Sequence, residues 1–180
     1  TGANNSVNAS LVYNNELIVA GDFTSIGGIG ANRIAKWNGS SWSALGLGTN
    51  GSVFALLVFN GELIVAGSFT QVGGVTATRI AKWNGSEWSS LSTGMNDDVY
   101  ALTVFNNELI AAGNFTEAGG QSANYIARWN GSSWIPLGSG MNNFVNALIV
   151  YNGELYAGGA FTNAGGSPCN RIAKWNGTTW

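Results

Sequence analysis

The sequence predicts an all-β fold made of four copies of one four-stranded antiparallel unit. Three observations carry the prediction: a forty-six-residue repeat, β-branched and aromatic runs bounded by tight turns, and apolar side chains on both faces of the first run. The repeat is read first, because missing it would misassign the whole fold. Val7, Val53, Val99 and Val145 open four units spaced by 46 residues, with no insertion or deletion between them. Seventeen of thirty-six aligned columns are identical in all four units, which implies recent amplification of one unit or deliberate construction.

Each unit is punctuated as four strands. In the third, residues 99–105 (VYALTVF) are rich in β-branched and aromatic residues and end at Asn106-Asn107. Residues 108–116 form the second predicted strand after a two-residue turn. The same turn is Asn60-Gly61 and Asn152-Gly153 in units two and four, a pairing suited to two consecutive residues with φ > 0. A longer loop carrying Gly119-Gly120 leads to a third strand at 125–129. Asn130-Gly131 reads as a second two-residue turn, and 133–137 closes the unit. That register sets Trp42 opposite Ala35 and diagonal to Trp37. Helix competes poorly, since no stretch keeps an i, i+3, i+4 stripe for three turns and glycine recurs about every ten residues.

The first strand of unit two shows why copies must stack. Simple alternation puts Val53, Ala55, Leu57 and Phe59 on one face and Phe54, Leu56 and Val58 on the other, so both faces are apolar. A lone four-stranded sheet of this kind would not stay dissolved, and packing it face to face with its copies gives the blades of a β-propeller. The chain is then one domain, 1–180, with blades at about 7–46, 53–92, 99–138 and 145–180. The bulk of the presumed inner strand leaves little taper toward an axis. This favours half of an eight-bladed ring completed by a second chain, a homodimer; the alternative is a closed four-bladed ring.

The pattern E-L-I-V-A-G-x-F-T, then G-G, then N-R-I-A-K-W-N-G-S-x-W resembles bacterial repeat proteins of the delta-sixty type. More loosely it resembles kelch and WD-repeat blades, with Trp-Asn-Gly where WD repeats place Trp-Asp. Similar units occur in the extracellular part of fungal cortical marker proteins. The resemblance covers nearly the whole chain and implies a propeller-like repeat, mostly a host for binding, from a secreted or cell-surface parent. Such families usually have more than four blades.

Composition narrows the chemistry. The chain has no His and one Cys, which argues against zinc sites, His-dependent triads and an internal disulfide. Net charge is −2 with seven basic residues, no footprint for nucleic acid or an anionic membrane. The longest apolar run, 53–59, is far shorter than a membrane span. Thr1-Gly2-Ala3-Asn4-Asn5 carries neither a basic nor an apolar signal region, so no signal peptide is expected in this stretch. No cofactor and no metal site are expected. Met95-Asn96-Asp97-Asp98 offers oxygen ligands for a cation, but acidic residues stand there in one unit only.

Three sets of recurring residues are candidate sites. Trp-Asn-Gly-x-x-Trp recurs at Trp37/Trp42, Trp83/Trp88, Trp129/Trp134 and Trp175/Trp180, either as cross-strand packing or as platforms on which a sugar ring stacks. Glu16, Glu62, Glu108 and Glu154 should meet Lys36, Lys82, Arg128 and Lys174 as structural ion pairs, without the second acid a glycosidase needs. Arg33, Arg79, Tyr125 and Arg171 start the third strands on the face that carries the long loops. Those loops hold the most varied columns, such as Gln121-Ser122 and Ser167-Pro168-Cys169. The paired glycines lack the helix and Lys-Ser/Thr of a phosphate loop. Eight Asn-x-Ser/Thr sequons are present, and those at Asn-Gly-Ser follow from turn chemistry. The residues therefore point to a non-enzymatic repeat scaffold, natural or engineered, that self-assembles by blade packing. The alternative is a lectin-like propeller binding a glycan through its Trp hairpins.

Overall fold

The computed structural model describes residues 2–180, and among them every regular element is a strand. The first repeat is one antiparallel sheet of Val7–Tyr13, Glu16–Gly21, Ile34–Trp37 and Trp42–Ala44, hydrogen-bonded in that order. The second repeats it with Val53–Phe59, Glu62–Gly67, Ile80–Trp83 and Trp88–Ser90. The third has Val99–Phe105, Glu108–Gly113, Ile126–Trp129 and Trp134–Pro136. The fourth is a three-stranded sheet of Val145–Tyr151, Glu154–Gly159 and Ile172–Trp175, with Trp180 standing where the other repeats begin their fourth strand.

The first turn of each repeat has the left-handed backbone its Asn-Asn or Asn-Gly sequence demands. Asn60 and Gly61 have φ of 51° and 78°, and Asn14 and Asn15 of 49° and 62°. The second strand stops at Gly113 rather than continuing to 116, and the third starts at Ile126. Between them lies an element the sequence reading treats as plain loop. In repeat one, Ser25–Ile26 and Ile29–Gly30 pair as a two-residue ladder around Gly27-Gly28, whose φ values are both positive. The residue four before the first strand joins it, as Ala3 bridges Ile26 and Thr49 bridges Val72.

Two registers differ from the simple reading. A β-bulge interrupts each first strand, between Val53 and Ala55 in repeat two. Simple alternation would keep these residues on one face. The extra residue instead turns Val53 toward the side of Leu56 and away from that of Ala55 and Leu57. Trp42 pairs directly with Trp37, and Ala35 with Ala44, because the connection is four residues long rather than two.

The chain forms two compact units, one running to Leu91 and the other Ser92–Trp180. In the first, repeats one and two stack face to face. Tyr13, Ile18, Ala20, Ile34 and Leu45 of repeat one bury against Val53, Leu63, Val65, Phe69 and Trp88 of repeat two. In the second, Phe105, Ile110, Ala112, Ile126 and Leu137 of repeat three bury against Val145, Leu155, Ala157, Phe161 and Trp175 of repeat four. Within each unit, the face that the first repeat turns to the second is called trailing and the face that the second turns to the first leading, and the equivalent columns of the other repeats take the same names. Nine of these ten columns recur in both junctions; the exception is the buried indole, since Trp88 stands in the column of Trp180 and Trp175 in that of Trp83.

Candidate functional site

The side chains that organise the loops are asparagines. Asn50 Oδ1 accepts hydrogen bonds from the Thr70 and Gln71 backbone amides at 2.9 Å each, and its Nδ2 donates to Thr70 Oγ1 at 2.8 Å. Asn4, Asn96 and Asn142 repeat all three bonds on Thr24-Ser25, Thr116-Glu117 and Thr162-Asn163. Each ties the segment entering a repeat to that repeat's miniature hairpin. Asn stands in this column in all four repeats, three residues before the opening valine, and Asn96 serves as a latch rather than as part of a cation site. The latch also occupies the oxygen a cation would need: Asn96 is committed to Thr116 and Glu117, while Asp97 accepts from Asn114 Nδ2 at 2.8 Å.

The Trp hairpins are tight aromatic pairs. Ring centroids of Trp37 and Trp42 lie 5.3 Å apart with planes at 48°, Trp83 and Trp88 5.1 Å, Trp129 and Trp134 5.3 Å, and Trp175 and Trp180 5.4 Å. Each is held by an asparagine-capped loop. Asn38 Oδ1 accepts from the Ser40 and Ser41 amides and from Ser40 Oγ, all at 2.9 Å, with Gly39 at φ 99°. That side-chain cap makes the loop four residues long, and it pairs the two indoles directly. Trp88, Trp134 and Trp175 are buried, while Trp37, Trp42, Trp83, Trp129 and Trp180 are half-buried. Trp180 Nε1 donates to the Leu137 carbonyl at 2.9 Å.

Four ion pairs line the turn end of the sheets. Lys36 Nζ is 2.9 Å from Glu16, Lys82 2.9 Å from Glu62, Arg128 Nη1 2.8 Å from Glu108, and Lys174 2.9 Å from Glu154. Each pair joins neighbouring strands of one sheet, and the first three, partly open to solvent, are worth at most about 1 kcal/mol each. In repeat four the Lys174 hydrogen bond, helped by one from Tyr156, holds the Glu154 carboxyl below its usual range. The same Glu154 contact raises Lys174, and accepting from Tyr156 raises that phenol. Glu154 therefore favours the fold above the ordinary glutamate pKa of about 4.3 and loses this as pH falls through its depressed value. Lys174 does the converse, favouring the fold until pH rises through its raised value.

Arg33, Arg79, Tyr125 and Arg171 precede the third strands rather than starting them. Their φ values are 65°, 67°, 68° and 66°, a left-handed corner that turns the chain into the strand. Arg33 Nη1 donates to the Thr49 carbonyl at 3.0 Å, Arg79 Nη1 to that of Ser68 at 2.8 Å, and Arg171 Nη1 to that of Ala160. Tyr125 packs beside the apolar cluster of its own unit. These guanidinium groups thus brace neighbouring loops. The varied columns lie on the outer strand of the miniature hairpins, with Val75-Thr76, Gln121-Ser122 and Ser167-Pro168 exposed.

The larger concavities that border the Trp hairpins lie one in each unit. In the first unit, Leu47, Val75, Trp83, Glu87 and Trp88 line a groove of about 430 Å³. In the second, Phe105, Glu108, Arg128, Leu137 and Trp175 line one of about 590 Å³. Among the described residues, no three His, Cys, Asp or Glu side chains gather where they could hold a metal ion. No helix among them is long and apolar enough to cross a membrane.

Comparison with known families agrees with the repeated sheets. The family model for the domain of unknown function DUF5122, a beta-propeller, matches residues 152–176. The model for the Rax2 C-terminal beta propeller domain matches residues 1–143. No curated protein matches the chain. Neither family description names a catalytic activity. With most of its length matched and four repeated antiparallel sheets, the chain belongs to the Rax2 C-terminal beta propeller domain family.

Proposed function

We propose that this chain is a non-catalytic binding scaffold that assembles through its own blade faces, two chains together completing an eight-bladed ring. One observation carries the reading. The leading face of repeat one and the trailing face of repeat four are exposed, although their counterparts in the two stacked junctions are buried. Val7 and Leu17 are 48% and 36% exposed, where Val53, Leu63, Val145 and Leu155 are 0%. Tyr151 and Ile172 are both 63% exposed, where Tyr13 and Phe105 are 6% and 5%, and Ile34 and Ile126 are 0%. Apolar faces this open drive association. Light scattering on the purified chain should give twice its 18.7 kDa mass. A monomer, or a ladder of larger species, would reject the closed pair. The likeness to delta-sixty, kelch and WD blades, which favour larger rings, belongs to this reading.

A second reading rests on the groove beside Trp83. A half-buried indole face with the Glu87 carboxylate at its rim has the chemistry to stack and orient a pyranose. Glu87 and Leu47 have no counterpart of the same type in the other repeats, so this reading takes one glycan per chain. Titration with millimolar monosaccharides should then shift indole fluorescence, and the Trp83→Ala variant should lose the shift. An unchanged spectrum removes the glycan.

A further inference from the structure

The two exposed faces are not merely apolar; they carry the two halves of a specific junction. Inside the first unit, the stack of repeat one on repeat two is joined by two polar bonds from the first strand. Tyr13 hydroxyl donates to the Gly61 carbonyl at 3.1 Å, in the first turn of repeat two. Asn8 Nδ2 donates to the Val53 carbonyl at 3.0 Å, at the opening of its first strand. Both acceptors are main-chain atoms, so any repeat offering a leading face offers them.

The donors are selective. Repeats two and three have Phe54 and Phe59, and Tyr100 and Phe105, in these columns. Repeat three meets repeat four with aromatic packing instead, Tyr100 against Phe144 at 6.4 Å, edge to face. Only repeat four shares the pair of repeat one: Asn146 stands in the column of Asn8, and Tyr151 in that of Tyr13. Both are exposed. The rest of that trailing face is adapted rather than abandoned. Tyr156 replaces the isoleucine of the other three repeats, and the smaller Gly158 replaces their alanine.

We infer that repeat four docks on repeat one of a second copy of this chain, reproducing the junction between repeats one and two. This rests on the assembly reading above and names its contact. Asn146 Nδ2 donates to the partner's Val7 carbonyl, and Tyr151 hydroxyl to the partner's Asn15 carbonyl, the counterpart of Gly61. Ile172 covers the partner's Leu17, as Ile34 and Leu63 share one apolar cluster within the chain. The contact is head to tail, so two chains form two identical junctions.

Three variants of the 180-residue chain test it by sedimentation. Leu17→Lys blocks the leading face, and Ile172→Glu blocks the trailing face. Each alone should be monomeric, and an equimolar mixture should recover the dimer, with one native junction and one Lys–Glu pair. Dimers from either single variant, or a mixture that stays monomeric, would overturn the head-to-tail contact. Tyr151→Phe should raise the dimer dissociation constant roughly tenfold, as one neutral hydrogen bond is lost from each of two junctions. An unchanged constant would remove the Tyr151 bond. These positions are exposed in the single chain, so circular dichroism of each variant should match the parent. A monomeric parent chain sinks the assembly reading itself, whereas a dimeric parent with indifferent variants sinks only this contact.

Discussion

Phe69→Ala is expected to destabilise the first unit by about 4 kcal/mol, a large share of the roughly 5–15 kcal/mol that keeps a typical domain folded. Phe69 is fully buried, as are Phe23, Phe115 and Phe161 in the same column. It follows the second strand, and its ring shares a cluster with Val65, Val72, Ala77 and Trp88. It thus ties the sheet to the miniature hairpin. Its backbone is committed as well, with the Phe69 carbonyl accepting from the Arg79 amide at 2.8 Å in the left-handed corner. The walls of this cavity cannot close without dragging that corner inward, so little of the lost contact is recovered by relaxation. Urea unfolding followed by circular dichroism reads the effect, and Phe69→Leu should cost less than half as much. A loss below ~1 kcal/mol for the alanine variant would mean that the column is not a structural core.

Much of this was legible in the residues. Asn60-Gly61 announced its turn because a short asparagine and a glycine tolerate φ > 0, and both adopt it. The strand pattern followed from runs such as Val99–Phe105, and stacking followed from their having no polar face. What escaped notice has a common cause: side chains that do the work of backbone. Asn38-Gly39 has the composition of a two-residue turn. The Asn38 carboxamide instead caps the Ser40 and Ser41 amides, lengthening the loop and moving Trp42 from a diagonal to a direct partner of Trp37. The column of Asn4, Asn50, Asn96 and Asn142 carries a three-bond latch, yet by residue type alone it reads as loop composition. At the exposed faces the two kinds of information meet. That Asn146 and Tyr151 repeat Asn8 and Tyr13 is visible in the sequence, but that the earlier pair holds a junction is visible only in the structure.

The bulge is the feature least visible in the sequence and among the most sensitive to change. Gly113→Ala should cost ~3 kcal/mol or more, although alanine is ordinarily the better strand residue. The reason is space, not backbone freedom, since Gly113 is not among the left-handed glycines. Where the bulge sets two residues of the first strand against one of the second, the chain folds down onto that glycine. A Cβ there would fall inside the contact radius of the Asp98 carbonyl oxygen and 2.8 Å from Val99 Cα. Neither is a flexible side-chain end that can swing away. The Asp98 carbonyl also accepts from the Asn114 amide at 2.8 Å, and Gly113 donates to the Tyr125 carbonyl at 3.0 Å. Relief of the clash therefore breaks the bonds that launch the chain toward Phe115. Gly21, Gly67 and Gly159 face the Ser6, Ser52 and Phe144 carbonyls in the same way. The constraint thus belongs to the repeat rather than to one site. Gly30→Ala is the control: nothing lies within 4 Å of the added carbon, and its effect should stay within about 1 kcal/mol. If thermal unfolding showed Gly113→Ala as mild as that control, the first strand would have to run unbulged, and Val99 would turn from the leading to the trailing face. Every junction that uses the opening valine would then need a different packing.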